Sequence, residues 1–197
     1  MEDITKRSDR DLLVELIGEH HTTALYTNKL RPLFCAEAPA PRYAKRAQGR
    51  AHRKLMVARE LVTRCLAEGL PERDVLTNPG MVKTYLQARF ASLSREVFAC
   101  IFLDTRHYII HFEIMFQGTI DSATVHPREV VKTALRHNAG AVILAHNHPS
   151  GITEPSAADQ AITRRIVDAL ALVDVRVLDH LVVGMNEVAS FAERGLL

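Results

Sequence analysis

The stretch Ala145-His146-Asn147-His148-Pro149-Ser150-Gly151-Ile152-Thr153-Glu154-Pro155-Ser156-Ala157-Ala158-Asp159 decides how this chain is read. It leaves an apolar run, Ala141 to Ala145, with the character of a strand buried on both faces, and enters a Pro-Ser-Gly turn. Residues two apart in an extended chain point to the same side, so His146 and His148 offer their imidazoles to one point. That point lies at the carboxyl end of a strand, where open α/β sheets place their sites. Pro155 and Ser156 open a helix with Asp159 in its first turn, and a loop of this length folds back to bring the carboxylate beside the histidines. Two nitrogens and one oxygen make a donor set for one zinc ion. Three protein ligands leave a fourth tetrahedral position for water, the arrangement of catalytic rather than structural zinc. Ser156 to Asp159 also matches a helix capping box, in which a short acid at the third helical position needs no metal. A cap explains neither histidine.

Working outward, Val97 to Leu103 is a second continuous apolar run and predicts a strand buried on both faces, with Tyr108 to Phe116 as its antiparallel partner. Pro127 opens a helix with Val130, Val131, Ala134 and Leu135 inward and Gly140 beyond its end. A helix follows Pro155, then short strands near Val175 and Leu181. Strands interleaved with helices predict an α/β (α+β) domain, a mixed sheet with packed helices, over residues 76–197, from a helix that Asn78 caps and Pro79 begins.

Residues 1–75 read as a small helical, partly basic N-terminal domain. Ser8 caps a helix carrying Leu12, Leu13, Leu16 and Ile17 and stopped by Gly18; a second runs from Thr22 towards Leu33. Pro39 and Pro41 break the segment 36–41. A third helix runs from about His52 to Glu68, with Leu55, Ala58, Leu61, Val62, Cys65 and Leu66 as its apolar stripe, and Gly69 and Pro71 end it. Lys45, Arg46, Arg50, Arg53, Lys54 and Arg59 lie between Arg42 and Arg64, opposed only by Glu60, in a chain whose net charge is only +2.

The composition is that of a globular protein able to bury a core. Cys35, Cys65 and Cys100 show no paired framework and read as reduced, buried residues. No window approaches the roughly 18 apolar residues of a membrane span, and the N-terminus lacks a signal-peptide core. The expected location is the cytoplasm.

The pattern His-x-His, seven residues, Ser-x-x-Asp resembles the JAMM signature of MPN+ (JAB/MPN/Mov34-type) metalloproteases and deubiquitinating isopeptidases. His146, His148, Ser156 and Asp159 fill its four positions. His146-Asn147-His148-Pro149-Ser150-Gly151, Pro127-Arg128-Glu129-Val130 and Leu178-Asp179-His180 point further, to the RadC-like branch, over about residues 76–197. The resemblance implies a JAMM/MPN-like (cytidine-deaminase-like) fold, one Zn2+ per chain held by His146, His148 and Asp159, and hydrolysis of amide or isopeptide bonds in a protein or peptide substrate. It also implies that Glu96, at the start of a core strand, is the general base and that Ser156 donates a hydrogen bond to the oxyanion. From spacing alone Glu113, Glu129 and Glu154 were equally available as the base. Asp179 and His180 could contact the metal ligands from behind or touch substrate, but read first as structural, with the histidine satisfied at a strand end.

RadC-like proteins usually carry an N-terminal helix-hairpin-helix element that contacts DNA phosphates. Here the segments 8–13 and 58–64 resemble its flanking helices, but Ala-Pro-Ala-Pro and a single glycine, Gly49, lie between them. The alternative function is therefore a DNA-binding, DNA-repair-associated protein in which the basic N-terminal region contacts DNA and the metal domain is auxiliary.

Overall fold

The computed structural model describes residues 7–28, 30–34, 46–68, 79–91, 93–118, 125–185 and 187–197. The chain divides into two compact units, Met1–Arg64 and Cys65–Leu197.

In the first unit α1 spans Asp9–Ile17, and the Ser8 side chain accepts from the Asp11 amide as its N-cap. The expected second helix is two: α2, Glu19–Leu25, starts directly after Gly18, and α3, Arg31–Phe34, follows a break. Tyr26 turns extended and Asn28 is left-handed, which a continuous helix does not allow. The third helix, α4, runs Arg46–Glu68. Leu13, Ile17, Leu33, Ala51 and Leu55 form the small core. The apolar stripe read along α4 holds at Leu55 and again at Leu66, which is half-buried against the core of the second unit, but not between them, where Leu61 and Val62 are 60% and 58% exposed. Cys65 is exposed too, whereas Cys100 is buried. Two of the basic residues are spent internally, Lys54 donating to the Leu16 carbonyl and Arg59 to that of Phe34. The Pro-rich break at 36–41, Cys35, the Gly69-Pro71 stop and the Asn78 cap lie outside the described residues.

The second unit is built on a five-stranded mixed sheet in the order β2-β1-β3-β4-β5. Its strands are β1 Val97–Leu103, β2 Ile109–Gln117, β3 Ala141–Asn147, β4 Arg176–Val183 and β5 Val188–Ser190. β1 pairs antiparallel with β2 and β3, and β3 pairs parallel with β4. Every residue of β1 and β3 is buried, as their apolar composition predicts. The two short strands expected near Val175 and Leu181 are one strand, β4, because a parallel partner along β3 holds the whole segment extended.

Alternation of side chains then assigns two faces. Val97, Ala99, Ile101, Leu103, Ala141, Ile143 and Ala145 pack against Val82, Tyr85, Leu86 and Phe90 of α5, Pro79–Phe90. Phe98, Cys100, Phe102, Val142 and Leu144 pack against α6, Pro127–Arg136, and α7, Ala157–Ala171, through Val130, Ala134, Ile166 and Leu170. Thr133 takes the buried place expected of Leu135, which is 55% exposed; the buried stripe of α6 is 130, 133 and 134. The sheet is thus covered on both sides, and the pleat puts His146 on the α7 side.

Phe102 is fully buried at the centre of the α6/α7 side. Phe102→Ala should lower the unfolding free energy of this unit by about 3–5 kcal/mol, read from urea denaturation.

Candidate metal centre

β3 ends in the site. His146 is its penultimate residue and 1% exposed, and His148 follows just beyond, its amide donating to the Val183 carbonyl of β4. The chain then turns through Gly151 at φ +86°, so that the Ile152 carbonyl returns to His148 Nδ1 at 2.6 Å. This loop lies against the turn after β4 so closely that a Cβ on Gly184 would stand 2.5 Å from the Gly151 carbonyl oxygen. Glycine is required there by close approach of backbone.

α7 starts at the same end of the sheet. Ser156 is its N-cap, and Ser156 and Asp159 form the complete capping box. The Ser156 amide and hydroxyl both donate to Asp159 Oδ2, at 2.7 and 2.6 Å, while Ser156 Oγ accepts from the Asp159 amide. The box does not exhaust the carboxylate. Asp159 Oδ1 stands 3.4 Å from His146 Nε2, and Oδ2 stands 3.7 Å from His148 Nε2. The capping and metal readings are both satisfied by one side chain.

Hydrogen-bond direction follows from the backbone groups at the ends of each chain. A carbonyl only accepts, so His148 must carry its proton on Nδ1, facing Ile152, and its Nε2 is a lone pair. On the other side Thr163 Oγ1 donates to the Asp159 carbonyl at 2.6 Å and must therefore accept from His180 Nδ1, also at 2.6 Å. His180 Nε2 is then an acceptor, and His146 Nδ1 donates to it at 2.8 Å. His146 Nε2 is left as a second lone pair. Burial, with the neighbouring imidazoles, holds His180 well below the usual imidazole range, so its ring is neutral.

In the neutral rings the two lone pairs face each other at 2.9 Å, a repulsion that a cation between them would relieve. Beside them Asp159 is ionised: burial opposes its charge, but the two imidazoles facing it and the hydrogen bond from Ser156 outweigh this and hold it far below the usual carboxylate range. A tetrahedral ion with bonds of about 2.0–2.1 Å needs ligand atoms about 3.3 Å apart. His146 Nε2 stands 2.9 Å from His148 Nε2 and 3.4 Å from Asp159 Oδ1, and one ligand atom from each of the three residues lies within 4.8 Å of the others, so the donor set fits a metal ion. Without one, the cation is a proton. His148 is raised above its ordinary value, chiefly by Asp159, against the opposing effect of burial and with help from Ile152 and the charge of Glu96.

Glu96 precedes β1, and the β1/β3 register, Phe98 opposite His146, brings it level with His148. Its backbone is held by Asn147, whose side chain accepts from the Val97 amide at 2.8 Å and donates to the Arg95 carbonyl at 3.0 Å. The sequence passes over Asn147 and leaves His180 outside the site as a structural residue. The signal for Asn147 was a buried amide side chain at a strand end, where backbone groups of the neighbouring strand need partners. Asp179 is structural, accepting from the amides of His180 and Ala192 and from the Ser190 hydroxyl.

A second trio among the described residues, His111, Glu113 and His137, brings potential ligand atoms together. There the Arg136 guanidinium already holds the carboxylate at 2.8 Å, and each histidine stands 3.8 Å from it.

A mixed sheet whose antiparallel and parallel halves meet at a strand ending in His-x-His, with an aspartate from the next helix beside it, defines a JAB/MPN-type domain. The RadC-like JAB domain model matches residues 76–196, and the chain belongs to that family. It is 55% identical to a UPF0758 protein of Thioalkalivibrio sulfidiphilus over 168 residues, which are 85% of this chain and 75% of the relative. A UPF0758 protein of Nitrosococcus oceani is 56% identical over 83% of this chain and 70% of its own length, and one of Vibrio atlanticus 54% over 84% and 74%. Among the described residues no helix is long and apolar enough to cross a membrane.

Two predictions follow from this geometry. Asn147→Ala strips partners from two backbone groups beside Glu96 and should cost about 1–3 kcal/mol in urea unfolding, with metal per chain unchanged by elemental analysis. In the presence of chelator, the His148–Asp159 pair should contribute to stability fully below the unfolded histidine value of 6.5 and lose that contribution as pH rises through the raised folded value. Asp159 stays ionised throughout this range. The stability difference between the parent and Asp159→Asn should therefore be larger at pH 6 than at pH 9; an equal difference would remove His148 as the responsible group.

Proposed function

We propose that this protein is a zinc-dependent hydrolase of peptide or isopeptide bonds, acting on a protein or peptide substrate. The observation that carries the reading is the pair of imidazole lone pairs 2.9 Å apart beside an ionised aspartate, a site built to receive a cation. His146, His148 and Asp159 would hold it. Two nitrogens and one carboxylate oxygen favour zinc, which accepts this mixed donor set. When bound, zinc supplies a nucleophile at neutral pH, by lowering the pKa of water to about 7, and a Lewis acid for a carbonyl.

The protein's own groups do the rest. Glu96, level with His148 and half-buried at the head of β1, takes a proton from the attacking water and returns it to the leaving amine, so that the C–N bond breaks as the amine is neutralised. Ser156 donates to the oxyanion. Its hydroxyl proton is now on Asp159 Oδ2, but the Ser156 amide donates to that same oxygen, so the hydroxyl can turn away without leaving it unpaired. The rim of the site carries Ile152 and Met185, both more than half exposed, apolar surface suited to a peptide side chain.

The nucleic-acid reading has less to stand on. Arg50 and Arg53 are exposed on α4, but Lys54 and Arg59 are committed to carbonyls within the helical unit.

The test is zinc content and hydrolysis measured side by side, with fluorogenic peptides and lysine-linked isopeptides as substrates. The parent should hold one zinc per chain, and Asp159→Ala should lose it. Glu96→Gln should keep zinc and lose hydrolysis by roughly 10²–10⁴-fold. Zinc lost from Glu96→Gln, or retained by Asp159→Ala, would overturn the assignment of roles.

A further inference from the structure

We propose that His180 and Thr163 are positioning residues of the metal centre, whose hydrogen-bonded chain fixes His146 in the one tautomer that can bind an ion. The inference rests on reading the cluster of His146, His148 and Asp159 as a metal site.

The chain has four members on three elements. His146 on β3 donates from Nδ1 to His180 Nε2 on β4; His180 Nδ1 donates to Thr163 Oγ1 on α7; Thr163 donates to the carbonyl of Asp159, one turn earlier on the same helix. The distances are 2.8, 2.6 and 2.6 Å, and Thr163 and His180 are 1% and 0% exposed. Water does not reach these atoms to supply another partner. With the Thr163 hydroxyl donating to the carbonyl, the protons along the chain fall in one order.

The reverse order shows what the chain prevents. Were Thr163 to donate to His180 Nδ1, His180 would donate from Nε2 to His146 Nδ1, and the His146 proton would move to Nε2. That proton would point at His148 and Asp159 and occupy the place of the ion. It would also take the Thr163 hydroxyl, at 2.6 Å, away from the Asp159 carbonyl. The loss of that short buried hydrogen bond stands against the metal-blocking tautomer.

Ending the chain on Asp159 has a second consequence. The carboxylate of that residue faces His146 Nε2, while its carbonyl is tied, through Thr163 and His180, to His146 Nδ1. One ring on β3 and one residue on α7 are therefore connected twice, once across the ligand atoms and once behind them. The sheet and the helix are held in register at the site before any ion arrives. Partners of this kind behind a ligating histidine typically account for 10- to 100-fold in metal affinity.

A purely packing role predicts something different. His180 stacks on Phe191 at 4.6 Å and meets Phe98 edge-on at 5.5 Å, so the ring does fill core volume. Thr163→Val separates the two roles, because it keeps the shape of the side chain and removes the hydroxyl, while Thr163→Ser keeps the hydroxyl and removes a methyl.

The experiment measures zinc affinity by chelator competition for the parent, Thr163→Val, Thr163→Ser and Asp159→Ala, with circular dichroism and thermal melting on each. The expected result is a 10- to 100-fold loss in Thr163→Val and near-parent affinity in Thr163→Ser. A folded Thr163→Val that binds zinc as the parent does, or a Thr163→Ser as weak as Thr163→Val, would overturn the proposal while leaving the metal site standing. A parent that binds no zinc, like Asp159→Ala, would overturn the metal reading and this inference with it. Nitrogen-15 NMR of the zinc-loaded parent gives an answer that needs no variant to fold. His146 and His180 should both be protonated at Nδ1 and not at Nε2, and a proton on Nε2 of either ring would overturn the proposal.

Discussion

Two imidazole nitrogens without protons face each other at 2.9 Å, and the local structure is arranged to hold them there. Left alone they repel. The arrangement persists because each ring is fixed from behind, His148 by the Ile152 carbonyl and His146 by the buried His180, so neither can turn its lone pair away without stranding a donor. An ionised carboxylate next to them adds to a negative potential that a cation would satisfy. A proton serves when nothing else is present, which is why Asp159 raises His148 above its ordinary value.

The sheet does the placing. β3 is buried throughout and lies between an antiparallel neighbour and a parallel one, so its register is fixed from both sides. Its pleat sends His146 towards α7, where Asp159 and His180 wait, and Asn147 the opposite way, where it grips the backbone on either side of Glu96. One tripeptide thereby sets the His-x-His pair and the backbone at Glu96 together. A shift of one residue in the β1/β3 register would exchange these roles and dismantle both.

The strands and the grouping of His146, His148 and Asp159 were legible in the sequence because they rest on short-range rules. Continuous apolar runs predicted β1 and β3 to within two residues, and the His-x-His spacing at a strand end needs only the period of an extended chain. The errors arose where tertiary partners override local pattern. β4 was read as two pieces because Asp179 and His180 interrupt its apolar character, yet Asp179 bonds β5 and the segment after it and His180 bonds His146, so both are polar for reasons a linear reading cannot supply. The α4 stripe failed in the other direction: helical periodicity identified a face, but the small core of the first unit reaches only as far as Leu55. Glu96 had no local signal, since a glutamate before a strand is usually a solvated end; its significance comes from a neighbour some fifty positions away in the chain.

The two readings that the sequence offered for Ser156 to Asp159 were treated as rivals, and the geometry removes the rivalry. A capping box orients the acid at the third helical position by tying one carboxylate oxygen to the N-cap, an interaction typically contributing about 1 kcal/mol. Here Oδ2 accepts both Ser156 donors and Oδ1 turns to His146. The cap fixes the rotamer of Asp159 as the helix forms, so its carboxylate meets the histidines already oriented. The helix start lowers the entropy cost of assembling the ligands. In return, the negative charge sits in the first turn of α7, where the exposed amides of a helix N-terminus favour it. A residue chosen for either purpose alone would be a short acid at this position, and this is why the motif could not be resolved by spacing and needed the second oxygen to be seen.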